Sequence, residues 1–365
     1  MPRVSLRGVT KRFGDVYAVR DLDLEVEDGE YFVFLGPSGC GKTTTLRLIA
    51  GLAEPDEGQI LLGGRDVVGV SPEDRNIGLV FQHFELFPSM TVYENVAYSL
   101  TLQGLPENEI EKRVSQVLEF TGLTEIEDKY PEDLSAPELQ RCSIGRALAK
   151  GSKLLLFDEP LGSLDPKTRE RFRFVLRGMV KGRGFTAIHV THDQSEAMAI
   201  ADRIAVFRAG GILQIGTPRE LYEKPASIFV ANFVGESTFL EGVIETSGSP
   251  ARIRLRGNLM IHASSSDLQP GSRAVLALRK ENMSISRERS DLENPLPGRV
   301  SRAAFVGKLL RYTVELDNGD FIELKHPSRG TEMIPEGQDV FVGFSSRSLL
   351  VYGYPDNLSH ELALR

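Results

Sequence analysis

The sequence predicts an α/β domain, a mostly parallel sheet with helices packed on it, followed by a smaller all-β domain. Three observations lead there. The apolar run Tyr31-Phe32-Val33-Phe34-Leu35 ends in a glycine-rich stretch and then a helical pattern. Further apolar runs alternate with helical segments as far as about residue 235. Beyond Gly235 the chain turns to short strand patterns and turn residues, with almost no helix signal. A length of 365 residues suits two domains, since one takes ~100–200. We therefore expect one domain over 1–235 and a β-rich one over 236–365.

The elements follow in order. After the run Tyr31–Leu35, Leu46, Leu48 and Ile49 fall on a helix that begins at Lys42 and stops near Gly51, a plausible C-cap. Val92 to Leu123 is mostly helical, with Ile110, Val114, Val117 and Leu118 near helical spacing. Pro131 interrupts it, and another helix is expected from about Glu138 to Lys150, giving a helical subdomain at about 88–150. Lys153–Phe157 and Phe185–Val190 read as further buried strands, and a helix starts within Ser195–Ala201. In the C-terminal part, Leu240-Glu241-Gly242-Val243 is matched by Leu296-Pro297-Gly298-Arg299-Val300. Gln269-Pro270-Gly271 precedes Val275–Leu278 as Pro335-Glu336-Gly337 precedes Val340–Val342. Two related halves are expected there.

Composition narrows the class. Apolar residues make up 41% and charged residues 26%, as in ordinary globular proteins. A net charge of −8 argues against a dedicated nucleic-acid binder. Cys40 and Cys142 have no neighbouring Cys or His at metal-ligand spacing and read as free thiols in a reducing compartment. No apolar h-region follows the first residues, so no signal peptide is expected. No run approaches the ~18–20 apolar residues that span a bilayer, so a membrane pore would have to be another chain.

Gly36-Pro37-Ser38-Gly39-Cys40-Gly41-Lys42-Thr43 fits G-x-x-x-x-G-K-[ST] between a strand and a helix. Its glycines let backbone N–H groups curl around phosphate oxygens, and the helix N-terminus adds positive potential. Lys42 can reach β- and γ-phosphates and Thr43 can ligate Mg²⁺. This is the pattern of a P-loop NTPase. Leu154–Phe157 then delivers two adjacent carboxylates. Asp158 is placed to hold Mg²⁺ and Glu159 to activate a water as general base.

Together these residues resemble the ABC ATPases, particularly those of binding-protein-dependent importers. Val80-Phe81-Gln82 resembles the Q-loop, in which Gln82 would contact Mg²⁺ and sense the membrane partner. Leu134-Ser135 with Leu139-Gln140-Arg141 resembles the signature segment, and Ser163-Leu164-Asp165 the D-loop. Val190-Thr191-His192-Asp193 resembles the switch segment, with His192 meeting the γ-phosphate; the other five histidines carry no such reading. Phe13 resembles the aromatic that stacks on adenine. The resemblance implies a nucleotide site of Phe13, Gly36–Thr43 with Thr44, and Asp165, completed across a dimer interface by Ser135. It implies catalytic roles for Gln82, Glu159 and His192, and Mg²⁺ on Thr43, Gln82 and Asp158. It also implies ATP, two integral-membrane permeases, a second ATPase subunit, an extracytoplasmic binding protein, and a place on the cytoplasmic face of the membrane. The C-terminal part resembles the paired OB-type regulatory domain of the maltose, polyamine and ferric-iron transporter ATPases. The run Phe233–Leu240 is closest in kind to the polyamine and ferric-iron branches.

One departure stands out. Ala136-Pro137-Glu138 replace the two glycines and glutamine of the signature. Proline has no N–H to offer a phosphate, and alanine crowds a close backbone approach. The second ATPase subunit can be a copy or a paralogue, and the departure favours a paralogue. Two other readings compete. A soluble ABC-type ATPase acting on DNA or ribosomes usually carries a coiled-coil insertion or two cassettes, and neither is visible. An OB-type module for oligonucleotides or small anions, with ATP as regulator, would be expected to show a dense aromatic and basic stripe in 237–356, which the sequence lacks.

Overall fold

The computed structural model describes residues 3–82, 84–290 and 292–363. His83, to which the sequence gives no role, lies outside them. The chain divides into two units, one ending at Lys224 and the other starting at Pro225.

The first unit is built on a six-stranded sheet in the order Gly211–Gly216, Arg203–Arg208, Tyr31–Leu35, Thr186–Thr191, Leu154–Asp158, Ile77–Val80. All neighbours are parallel except the edge pair Gly211–Gly216 with Arg203–Arg208. The central strands have no exposed face: Tyr31 to Leu35 and Thr186 to Thr191 are buried throughout. That explains their continuous rather than alternating apolar runs. The register puts Leu35 opposite Thr191, Val190 opposite Asp158, and Phe157 opposite Val80. Four neighbouring strands thus end level with one another. Their carboxyl ends lead into the glycine-rich loop, His192, Glu159 and Gln82. Open parallel sheets bind ligands at such a row of strand ends.

A four-stranded antiparallel sheet, Val16–Val26, Val4–Phe13, Glu57–Leu62 and Arg65–Asp66, packs its apolar face into the same core. The helices Val92–Leu102, Glu107–Thr121 and Ala136–Ala149 pack on one another. Gly145 allows their close approach, since a Cβ there would sit 3.3 Å from both Val96 and Val117. The third helix starts at Ala136, earlier than the sequence suggests. Ser135 is its N-cap, and Pro137 falls in the first turn, where a missing N–H costs nothing.

The second unit is all antiparallel sheet apart from short helices. One five-stranded sheet runs Met260–Ala263, Ala251–Leu255, Ser237–Thr246, Arg273–Arg279, Leu350–Gly353. The other runs Phe321–Pro327, Leu309–Leu316, Leu296–Val306, Asp339–Phe344, Met283–Ser286. Each half of the sequence supplies four strands in the same spatial order. Its fifth strand goes to the other half's sheet: Met283–Ser286 pairs with Asp339–Phe344, and Leu350–Gly353 with Arg273–Arg279. The two halves expected from sequence are therefore present and interlocked, and both sheets share one apolar core. The helix Ile228–Phe233 belongs to this unit, held by Arg279 Nη1 donating to Ala231 O at 2.6 Å. The division consequently falls ahead of residue 235, where the composition shifts.

Candidate active site

The glycine-rich loop is shaped by contacts that exclude side chains. Gly41 has φ 107°, and a Cβ there would meet Ala18 O at 2.3 Å. A Cβ on Gly36 would meet Phe207 O at 2.5 Å. Lys42, 4% exposed, donates from Nζ to Gly36 O and Pro37 O, both at 2.8 Å. Its ammonium is therefore held inside the loop's curve. Ser38 and Gly39 are exposed on the loop, Thr43 and Thr44 are partly exposed at the start of the helix, and Cys40 is buried beneath it. Burial pushes the Cys40 thiol up, so Cys40 is an inert filler of the loop's base rather than a nucleophile.

Thr43 Oγ1 donates to Asp158 Oδ1 at 2.9 Å, joining the loop to the end of the neighbouring strand. Burial raises the Asp158 carboxyl above its usual range, against the opposing effects of the Thr43 bond and the cationic Arg47. A desolvated carboxylate beside a hydroxyl is a pair of hard oxygen donors that a divalent cation would suit. Glu159 follows in the left-handed region at φ 47°, an unfavourable conformation for a residue with a side chain. Its N–H donates to Val190 O at 3.0 Å, and its Oε1 lies 3.2 Å from His192 Nδ1. The Glu159 side chain thus faces His192. Gln82 packs against the turn that follows Glu159: its Nε2 lies 3.0 Å from where a Gly162 Cβ would be.

Phe13 is at the tip of the hairpin Val4–Phe13/Val16–Val26 and is 58% exposed. Ala18 of the same hairpin abuts Gly41, so Phe13, with Lys11 Nζ 5.7 Å from its ring centroid, belongs to the element that borders the loop. Nearby Tyr17 is already flanked by Arg12 and Arg20, with guanidinium carbons 4.6 and 4.0 Å from its ring centroid.

Two sequence-assigned residues do not join this cluster within the chain. Asp165 is the exposed N-cap of the helix Pro166–Gly182, accepting from Thr168 N at 3.1 Å. Ser135 caps the helix Ala136–Ala149, and its partner is Glu138. The Glu138 Oε2 accepts from Ser135 N at 2.7 Å and from Ser135 Oγ at 2.6 Å. These bonds hold the Glu138 carboxyl below its usual range. An ionised carboxylate therefore covers the helix N-terminus and engages the one hydroxyl the segment retains.

Residues 19–162 match the ABC transporter family and residues 276–351 the TOBE domain. Over 331 residues the chain is 42% identical to the spermidine/putrescine import ATP-binding protein PotA of Pseudomonas aeruginosa, covering 90% of this chain and 91% of that protein. The chain belongs to the ABC transporter family. It is also 41% identical over 347 residues to the Fe(3+) ions import ATP-binding protein FbpC of Rhizobium etli, covering 95% of this chain and 96% of that protein. Among solved structures it resembles the dimeric, post-hydrolysis ATP-binding cassette MJ0796 bound to ADP and Pi. That match has 32% identity and a TM-score of 0.53 over 59% of this chain and 99% of the other. The chain is thus an ATP-binding subunit of an ABC importer, an ATPase coupled to transport. No described helix is long and apolar enough to cross a membrane.

Sequence reasoning missed the groups that brace this ABC site. His189 is fully buried; its Nδ1 meets Tyr31 Oη at 2.9 Å and its Nε2 lies 3.1 Å from Glu196 Oε1. Glu196 Oε2 also accepts from Thr191 Oγ1 at 2.8 Å. The Tyr31–His189 and Thr191–Glu196 hydrogen bonds brace the strand and helix on either side of His192. Arg169 donates to the carbonyls of Leu161, Gly162 and Leu164 at 2.9–3.3 Å and so holds the turn beyond Glu159. The only sequence signal for these was polar residues in otherwise apolar or helical runs.

Proposed function

We propose that ATP binds across the four level strand ends, with its phosphates in the Gly36–Thr43 loop, Thr44 alongside, and adenine stacked on Phe13. The observation that carries this is the Thr43–Asp158 contact at 2.9 Å beside the Glu159–His192 contact at 3.2 Å. Thr43, Gln82 and Asp158 would hold Mg²⁺, which supplies positive charge to phosphate oxygens when bound. Among the described residues no group of three or more His, Cys, Asp or Glu could hold an ion alone. That suits a cation shared with the nucleotide. Lys42 exchanges its loop carbonyls for phosphate oxygens. Glu159 accepts a proton from the attacking water, and His192 orients the Glu159 carboxylate and reaches the γ-phosphate.

In this reading the subunit sits on the cytoplasmic face of the membrane. It works with two permeases and, through them, an extracytoplasmic binding protein. The relatives are named for spermidine/putrescine and for Fe(3+) ions, and we propose a cationic cargo of one of these two kinds. The test is to reconstitute the chain with its permeases and binding protein in vesicles and follow ATP hydrolysis with uptake of labelled spermidine or ferric ion. Hydrolysis stimulated by one loaded binding protein supports the reading. Hydrolysis indifferent to permeases and cargo refutes it.

The Ser135–Glu138 lock favours a second feature, an unequal pair of ATPase subunits. This chain's own half-site has all its parts, whereas the half it offers a partner presents a carboxylate where a γ-phosphate would approach. Asp165 and Ser135, which lie apart from the cluster, would act across that interface. With an intact signature on a paralogous partner, only the partner's ATP meets the defect.

A further inference from the structure

His192 is carried on a short turn closed by three hydrogen bonds. Thr191 ends the strand Thr186–Thr191 and Gln194 begins the helix Gln194–Ile200, so only His192 and Asp193 lie between them. Thr191 Oγ1 accepts from Asp193 N at 3.0 Å, a side-chain turn that encloses His192. Asp193 Oδ1 accepts from Glu196 N at 3.0 Å. Thr191 Oγ1 in turn donates to Glu196 Oε2 at 2.8 Å. Thr191, Asp193 and Glu196 thus form a closed ring around His192. The His192 side chain itself is 59% exposed, and its one hydrogen-bond partner among the described residues is Glu159.

Glu196 is the costly member of the ring. A hydroxyl has a single hydrogen, and Thr191 commits it to Glu196, which leaves the Thr191 oxygen free to accept from Asp193 N. Glu196 is buried, and the Thr191 bond is the only one its carboxyl makes among the described residues. The other carboxyl oxygen faces His189 Nε2 at 3.1 Å, and that buried ring is itself held at Nδ1 by Tyr31 Oη. Burying a carboxyl with so few partners is unfavourable, and an apolar side chain of similar size would fill the place at less cost. Side chains that break a packing rule in this way are expected at functional positions.

We propose that Glu196 is a positioning residue for hydrolysis: through the Thr191 hydroxyl it sets the turn that aims His192 at Glu159. Glu196 acts through Thr191 and touches no reacting atom. The proposal rests on the reading of His192 as the residue that orients Glu159.

The test is a mutant cycle on single-turnover ATP hydrolysis by the reconstituted complex, which keeps slow variants in range, with ATP affinity and thermal melting measured for each variant. Glu196→Ala should lower the rate by roughly tenfold to a hundredfold with ATP affinity unchanged. Thr191→Val, which removes only the hydroxyl, should do the same, and it carries the test if Glu196→Ala melts early. Glu196→Gln retains an acceptor for Thr191 and should keep most of the rate. In a His192→Ala background, Glu196→Ala and Thr191→Val should each cost no more than about twofold, because the residue they position is gone. A merely structural role would cost the same factor in both backgrounds. Equal losses in both backgrounds, Glu196→Gln as slow as Glu196→Ala, or full rates in Glu196→Ala and Thr191→Val would each overturn this proposal alone. A full rate in His192→Ala would overturn the reading of His192 and this proposal with it.

Discussion

Glu138→Gln separates charge from structure at the signature-like helix. Glutamine at the third helical position still accepts from Ser135 N, so the capping arrangement survives. Only the negative charge is lost. A unit charge about 4 Å from a phosphate charge costs about 1 kcal/mol in bulk water and about 4 at an effective dielectric near 20. Ser135 is exposed and Glu138 half-buried, so the lower part of that range applies. At about 2 kcal/mol, the variant should speed hydrolysis by roughly thirtyfold in complexes where this chain is the only ATPase subunit. Adding Ala136→Gly and Pro137→Gly should speed it further by restoring backbone donors, each worth about 10²-fold or more at a transition-state oxygen. The assay is steady-state ATPase activity of the reconstituted complex, with thermal melting of the variant as control. A single-subunit complex that already runs fast, and is unmoved by all three changes, would refute both the repulsion argument and the unequal pair.

Three further outcomes follow from the same geometry. Glu159→Gln should lower hydrolysis by at least about 10²-fold while retaining ATP, read by turnover beside nucleotide trapping. A chain ending at Lys224 should fold and bind ATP with near full-length affinity in equilibrium dialysis, because every proposed nucleotide contact within the chain precedes the division. Asp158→Asn should raise the thermal midpoint at neutral pH while abolishing hydrolysis. Burial raises the native carboxyl's pKa above its unfolded value, so its ionisation costs stability as pH rises through the ordinary carboxylate range and beyond. The midpoint gain should therefore shrink as the pH falls below that range.

The site was legible where chemistry terminates an apolar strand. Lys42 and Thr43, Asp158 and Glu159, and His192 each follow a buried run, so their convergence needed only the parallel register that continuous apolar strands imply. Features that depend on contacts between distant elements were not legible. His189 and Glu196 look like isolated polar residues until the strand and the following helix bring them together over Tyr31. The Ser135–Glu138 lock was hidden differently: the substitution was visible, but its consequence depends on a side chain reaching back three residues. The division at Lys224 was obscured because Ile228–Phe233 is as apolar as any core helix of the first unit. The exchange of fifth strands between the β-rich halves escaped because edge pairing leaves no periodic trace.

Strain and bracing at this site are parts of one arrangement. Glu159 occupies a backbone region that costs about 1–3 kcal/mol, and the Asp158 carboxyl beside it is desolvated. Neither would persist on a free loop. Glu159 is held from one side by its N–H on Val190 O, and the turn beyond it is held by Arg169 through Leu161, Gly162 and Leu164. Val190 belongs to the strand that Tyr31, His189 and Glu196 anchor from within the core. Glu159 and His192 are thus fastened to the same strand. Gln82, on the neighbouring strand end, touches the turn after Glu159 only where Gly162 leaves room.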